Sequence, residues 1–312
     1  MRALYCQVAM PTARTTNLPA CAPACQAPPG PVRGRPGRTI GWTRNRGFAT
    51  LLSPRCHRRC VGLPTASELL ETRARDGQRL SALARTVSGL PELRNAYDAL
   101  LSAIRLSGPF GAGKSLLVTS TQPNEGKTTV ASCLAITALL SGQSVLLIDG
   151  DLRRPSLASA AGIVNGVGFG EVLQGQSEIA DAIHPVDLFE DRRGAGVLSV
   201  MGAGGKSPEF LPSVDWSRAR TTFQSISERF GVVLFDSPPI LAANDALLLA
   251  GIVDGVLLVV DARGADRNEV RRAKEHLEAV GAPLIGAVLN QFDPKIHGRA
   301  NQPYLGYNVE AH

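Results

Sequence analysis

The chain has 312 residues, 44% of them hydrophobic, enough for one or two domains with a sizeable core and too apolar for a largely unfolded polymer. Its formal charge of +6 is concentrated at one end. Residues 1–60 hold ten Arg and no Lys, Asp or Glu, and taking these ten from the 33 Lys+Arg leaves 23 against 27 Asp+Glu beyond residue 60. The basic balance is therefore no ground for nucleic-acid binding by the folded part, and no run of 18 apolar residues supports a membrane-spanning helix.

In chain order, residues 1–62 carry eight of the 21 Pro and five of the six Cys, with little apolar periodicity, so disorder is expected there. Cys21 and Cys25, and Cys56 and Cys60, have zinc-compatible spacing without the paired ligand hairpins a zinc site needs. The Arg-rich, acid-poor composition is also that of a transit peptide, or of a translated stretch outside the functional protein. Residues 63–108 read as a helical extension. Leu69, Leu70, Leu80, Leu83 and Val87 mark one face. Pro91 opens a second helix with Tyr97, Leu100, Leu101 and Ile104 on one side.

Residues 109–295 alternate apolar runs with helical segments. The runs are 116–118, 145–148, 197–200, 232–235, 256–260 and 284–289. The helical stretches include 129–140, 219–229, 245–250 and 268–280. Continuous apolar runs are the mark of strands buried on both faces, so the expectation is a doubly wound, mostly parallel α/β sheet with ligands outside the carboxyl ends of its strands. Cys133 falls within the first of these helices as a buried, small apolar residue. Residues 296–312 are expected to be a flexible tail, with Tyr304 and Tyr307.

Two runs compete as a phosphate-binding loop. Gly108-Pro109-Phe110-Gly111-Ala112-Gly113-Lys114-Ser115 matches G-x-x-x-x-G-K-[ST] in full, but an apolar strand follows it. The run from Thr121 through Gln122, Pro123, Asn124, Glu125, Gly126, Lys127 and Thr128 lacks the first Gly, yet lies between a strand and a helix. Backbone N–H groups and a helix N-terminus converge on an anion only in the second context. Pro123, Asn124, Glu125, Gly126, Lys127, Thr128 and Thr129 are therefore the expected nucleotide-binding residues, with Asn124 adopting positive φ in place of a glycine. Lys127 supplies charge to the β- and γ-phosphates, and Thr128 a hydroxyl for Mg²⁺.

Three carboxylates follow apolar strands: Asp149 and Asp151 in Asp149-Gly150-Asp151-Leu152-Arg153-Arg154-Pro155, and Asp236 in Asp236-Ser237-Pro238-Pro239. Beside a phosphate loop such groups hold Mg²⁺ or accept a proton from an incoming hydroxyl. The structural alternative makes Asp149 a turn cap and Asp151 a solvated loop residue.

With these motifs, and with Ser207-Pro208-Glu209-Phe210-Leu211, the run from Asn95 to Asp293 resembles the bacterial tyrosine kinases of capsule and exopolysaccharide export. The resemblance implies ATP and Mg²⁺ as cofactors and a P-loop NTPase fold. It implies Lys127, Asp149 and Arg153 as catalytic residues, with Asp149 accepting the tyrosine proton and Arg153 neutralising charge near the transferred phosphoryl group. Thr128, Asp151 and Asp236 would serve the metal. Asn290 would reach the adenine edge, the alternative being a strand-end turn residue. The implied partner is a transmembrane polysaccharide co-polymerase, at the cytoplasmic face of the membrane, with no nucleic acid. Two features depart from the family. Its E-x-x-R-x-x-R positions are here Asn95, Asp98 and Leu101, which weakens self-association through the helix at 92–106, and the tail has only two tyrosines. A nucleotide-switched ATPase without protein phosphorylation, and a non-catalytic assembly subunit, are the competing readings.

Overall fold

The computed structural model describes residues 78–107, 115–164, 166–189, 196–205 and 208–291, together with the pair Val8–Ala9. The zinc-spaced cysteines, Lys114 and the rest of its glycine-rich run up to residue 114, Ser207, and the tail with Tyr304 and Tyr307 lie outside the described residues.

Among the described residues, eight strands form one sheet. They are β1 (Val8–Ala9), β2 (Ser115–Ser120), β3 (Val145–Asp149), β4 (His184–Asp187), β5 (Val197–Met201), β6 (Val232–Asp236), β7 (Gly255–Asp261) and β8 (Leu284–Asn290). Their order is β1-β8-β7-β2-β6-β3-β5-β4. The six interior strands are parallel, while the edge strands β1 and β4 pair antiparallel with β8 and β5.

The apolar runs serve both faces of this sheet. Along β2, Leu116 and Val118 enter one core and Leu117 the other; along β7, Leu257 and Val259 alternate with Leu258 and Val260 in the same way. One face carries α3 (Lys127–Leu140), in which every residue from Thr129 to Ala138 is buried. A helix apolar all round needs cover on both sides. The outer cover is α1 (Arg79–Gly89) and α2 (Pro91–Arg105), which bring Leu80, Val87, Leu93, Tyr97, Leu100 and Ile104 into the same core as Val130 and Leu134. The helical extension is thus the third layer over the phosphate-loop helix. Pro91 occupies the first turn of α2, as its sequence position predicts. Burial pushes the Cys133 thiol up to about 12, against the lowering effect of its hydrogen bond with Tyr97, so it packs as an inert apolar group.

Short α4 (Leu157–Ala161) lies on the α3 side, near the sheet's edge, and the other face carries α5 (Phe169–Leu173), α6 (Ile179–Ala182), α7 (Trp216–Arg229), α8 (Asp245–Ala250) and α9 (Arg267–Ala279). More specifically, Leu157 of α4 belongs to the α3 core, whereas α5 to α9 build the second one. There Phe169, Phe223 and Phe235 meet with ring centroids 5.4 to 6.0 Å apart, tilted or edge-on.

Candidate active site

The site lies at the carboxyl ends of β2, β3, β6 and β8. After β2 the chain turns through the loop 121–126 into α3. Asn124 takes φ 66° and Gly126 φ 89°, so the substitute for a glycine at Asn124 is the one its side chain predicts. Gly126 is the N-cap of α3, and no side chain caps the helix. Its first N–H groups are left for an anion. The Lys127 ammonium reaches to 4.0 Å from Asp151 Oδ2.

The loop is braced from beneath. The Thr121 hydroxyl stands at the position of the missing first glycine and lies 2.9 and 2.8 Å from the two Glu125 carboxylate oxygens, to which it donates. The same carboxylate accepts the Gln122 N–H at 2.8 Å and the Asp261 N–H at 3.2 Å. Glu125 is buried, and burial raises its pKa despite those bonds. Its side chain is therefore a loop brace, and only its backbone is free to serve a nucleotide. Asn290 Nδ2 donates to the Glu125 carbonyl at 2.8 Å. In this arrangement its amide holds the phosphate loop, the role that the adenine assignment left out.

The serine of the upstream run is placed elsewhere. Ser115 begins β2, at the opposite end of the strand, and exchanges bonds with Asp254: its hydroxyl donates to Asp254 Oδ2 at 2.7 Å and accepts the Asp254 N–H at 3.0 Å.

The three aspartates converge. Asp149 and Asp236 are register partners on the adjacent parallel strands β3 and β6. Asp236 Oδ2 accepts the Thr128 hydroxyl at 2.6 Å, whereas Oδ1 is buried with no hydrogen-bond partner. Burial first, and then the neighbouring Asp149 charge, push Asp236 up to about 7. Burial likewise pushes Asp149 up to about 6, against the backbone bonds that lower it.

An orphaned carboxylate oxygen beside a hydroxyl and a phosphate loop fits a cation. No set of three His, Cys, Asp or Glu among the described residues could hold a metal by itself.

A model of the CobQ/CobB/MinD/ParA nucleotide-binding domain matches residues 116–307. Tyrosine-protein kinase YwqD of Bacillus subtilis is 32% identical over 216 residues, which cover 68% of this chain and 88% of that protein. The chain belongs to the bacterial tyrosine-kinase branch of this nucleotide-binding family. Among solved structures, the kinase domain of the Escherichia coli tyrosine kinase Etk aligns with a TM-score of 0.65 at 26% identity, covering 78% of this chain and 91% of that one. The chimerical protein CapA2B2 aligns with a TM-score of 0.58 at 27% identity, covering 67% and 90%.

Within the kinase frame, the family's carboxylate motif has a second job. Asp149 is fully buried, and its oxygens accept N–H groups of Asp151 at 3.2 Å and of Ser156 and Leu157 at 2.9 Å each. Asp151 in turn accepts the N–H groups of Arg153 and Arg154. The two carboxylates build the loop that carries them, as the turn-cap alternative foresaw for Asp149. Arg153 is turned to Asp245, donating from Nε at 2.7 Å and Nη2 at 3.1 Å. Asp245 and the Thr121–Glu125 brace escaped sequence reasoning, since each matters only through a partner that folding brings to it. On α2, Leu101 is buried in the core and Asp98 pairs with Arg94 at 3.7 Å, so both side chains are engaged within the chain.

Proposed function

We propose that this chain is an ATP-dependent protein-tyrosine autokinase serving capsule or exopolysaccharide polymerisation and export. The observation that carries the reading is the meeting of an uncapped α3 N-terminus with three aspartates from two neighbouring strand ends. Membership of a family whose relatives include kinases such as YwqD and Etk supplies the reaction class.

ATP would lie with its phosphates on the loop 122–128. Lys127 offsets charge on the β- and γ-phosphates, and the first N–H groups of α3 hold their oxygens. Thr128, Asp236 and Asp151 would hold Mg²⁺, which supplies charge neutralisation at the phosphate oxygens when bound. The buried Asp236 Oδ1 is the group that most needs such a partner. Asp149, pushed up to about 6, has a basicity suited to accepting the tyrosine proton near neutral pH. Its Oδ2 is held by the Ser156 and Leu157 N–H groups, which leaves Oδ1, bonded once at 3.2 Å, as the oxygen that would take the proton.

In this reading the acceptor is the tail, at Tyr304 or Tyr307. The chain docks to a transmembrane co-polymerase at the cytoplasmic face; no helix among the described residues is long and apolar enough to cross a membrane. The second reading, a nucleotide-switched ATPase, is favoured by α2. Without the family's charges there, the self-association that would bring one chain's tail to another chain's site has less to hold it.

Incubation with γ-labelled ATP and Mg²⁺, followed by phosphoamino-acid analysis, separates the two. Label on tyrosine supports the kinase. Release of all label as phosphate, with the membrane partner present, supports the switch.

A further inference from the structure

Arg153 has two carboxylates to choose between. Asp151, two residues back, accepts the Arg153 backbone N–H at 3.2 Å, and its charge acts on the guanidinium. Asp245, 92 residues along the chain in the first turn of α8, takes the guanidinium itself in a two-bond fork. The Asp245 side chain is 7% exposed and that of Arg153 52% exposed, so the anchoring carboxylate is fixed and the arginine lies over it at the rim. A fork of two near-parallel N–H···O bonds sets the plane of the guanidinium as well as its position.

α8 grips the same loop at a second point. Gly150 N–H donates to the Asp236 carbonyl at 2.7 Å, and a Cβ at Gly150 would stand 2.9 Å from that carbonyl oxygen and 2.9 Å from Leu249 Cδ1. The loop that carries Asp149 and Asp151 is thus seated against β6 and α8, with no room to slide. Asp151 meanwhile faces Lys127 at 4.0 Å.

We propose that Asp245 is a positioning residue: it holds Arg153 off Asp151, so that the Asp151 carboxylate remains available to Lys127 and to the divalent cation that accompanies the nucleotide. The inference rests on the reading of Asp151 as a cation-site carboxylate. In Asp245→Asn the fork loses its charge, the guanidinium turns to Asp151, and the site loses negative charge it needs for the cation.

The test is the Mg²⁺ midpoint for binding of a fluorescent ADP analogue to the full chain, read beside thermal unfolding. Asp245→Asn raises the midpoint by about tenfold, the effect of one charge-assisted pair formed at the wrong place. Adding Arg153→Gln removes the stray cation and returns the midpoint to within about twofold of wild type, where a fork that only staples α8 leaves the double variant at least as impaired as the single one. If Asp245→Asn does not fold, Arg153→Gln alone reads the question: an unchanged midpoint supports the proposal, and a tenfold rise overturns it. A wild-type midpoint for Asp245→Asn overturns it too. Midpoints that behave as stated, with no phosphotyrosine formed, refute the kinase reading and leave this one standing. Absence of Mg²⁺-dependent nucleotide binding in the wild type overturns both.

Discussion

Asp236→Asn should make the metal-free protein more stable at alkaline pH while destroying its response to Mg²⁺. Asp236 is raised from 3.8 to about 7 by burial and by the Asp149 charge. A carboxylate raised in the folded state binds a proton between about pH 4 and about pH 7, where the unfolded chain has already lost its own. Folding stability therefore falls as pH rises through that window and is flat above it. Asp149, raised to about 6, acts with the same sign over a narrower range. A rise of about three units for Asp236 corresponds to about 4 kcal/mol at about pH 8. Asn keeps an acceptor for the Thr128 hydroxyl but brings amide hydrogens with no partner, at a cost of about 2 kcal/mol. The net gain is about 2 kcal/mol. Urea unfolding in EDTA at about pH 5 and about pH 8 measures it: the wild type loses stability between the two, and Asn at position 236 flattens the profile. Mg·ADP at a hundredfold excess over its Kd then adds about 2.7 kcal/mol to the wild type and far less to the variant. An Asp236→Asn protein less stable than wild type at about pH 8 without Mg²⁺ would refute the argument.

Gly126→Ala places a Cβ 2.2 Å from Asn290 Nδ2 on a residue at φ 89°. Backbone strain of about 1–2 kcal/mol and loss of the Asn290 bond to the loop should cut nucleotide affinity at least tenfold by fluorescence titration; wild-type affinity would deny the loop its tight geometry. Asp149→Asn should lower the melting temperature as well as abolish phosphotransfer, because its carboxylate holds the Ser156 and Leu157 N–H groups. An unchanged melting temperature would argue that the loop holds itself. Removal of residues 1–60 takes away the two-residue strand β1 at the edge of β8 and should leave ATP affinity intact by calorimetry, whereas a large loss of affinity would give that tract a structural role.

The interior strands were legible because residues such as Val145 to Ile148 and Val256 to Val260 are apolar without interruption, which only a doubly covered strand tolerates. β4 was not. His184–Asp187 contains Pro185 and alternates between half-buried and exposed, as an antiparallel edge strand does, and four residues leave no period to read. The helices α4, α5 and α6 are five, five and four residues long, too short for a periodic signal. In the site, the strand and the helix that flank the loop 121–126 were legible in the sequence. The aspartates were legible as strand ends. What each side chain holds was not: Glu125 reads as a loop ligand until Thr121 and the Asp261 N–H fold onto it, and Arg153 reads as an open cation until Asp245 closes the fork.

The central claim is a tyrosine kinase reaction run from the loop at Lys127. Wild type, Lys127→Ala and Lys114→Ala, each incubated with Mg·ATP and mapped for phosphate by mass spectrometry, test it most directly. Phosphate on Tyr304 or Tyr307 in wild type and in Lys114→Ala, with none in Lys127→Ala, is the predicted result. Phosphotyrosine that survives Lys127→Ala and vanishes in Lys114→Ala, or ATP turnover in wild type with every tyrosine unmodified, would contradict it.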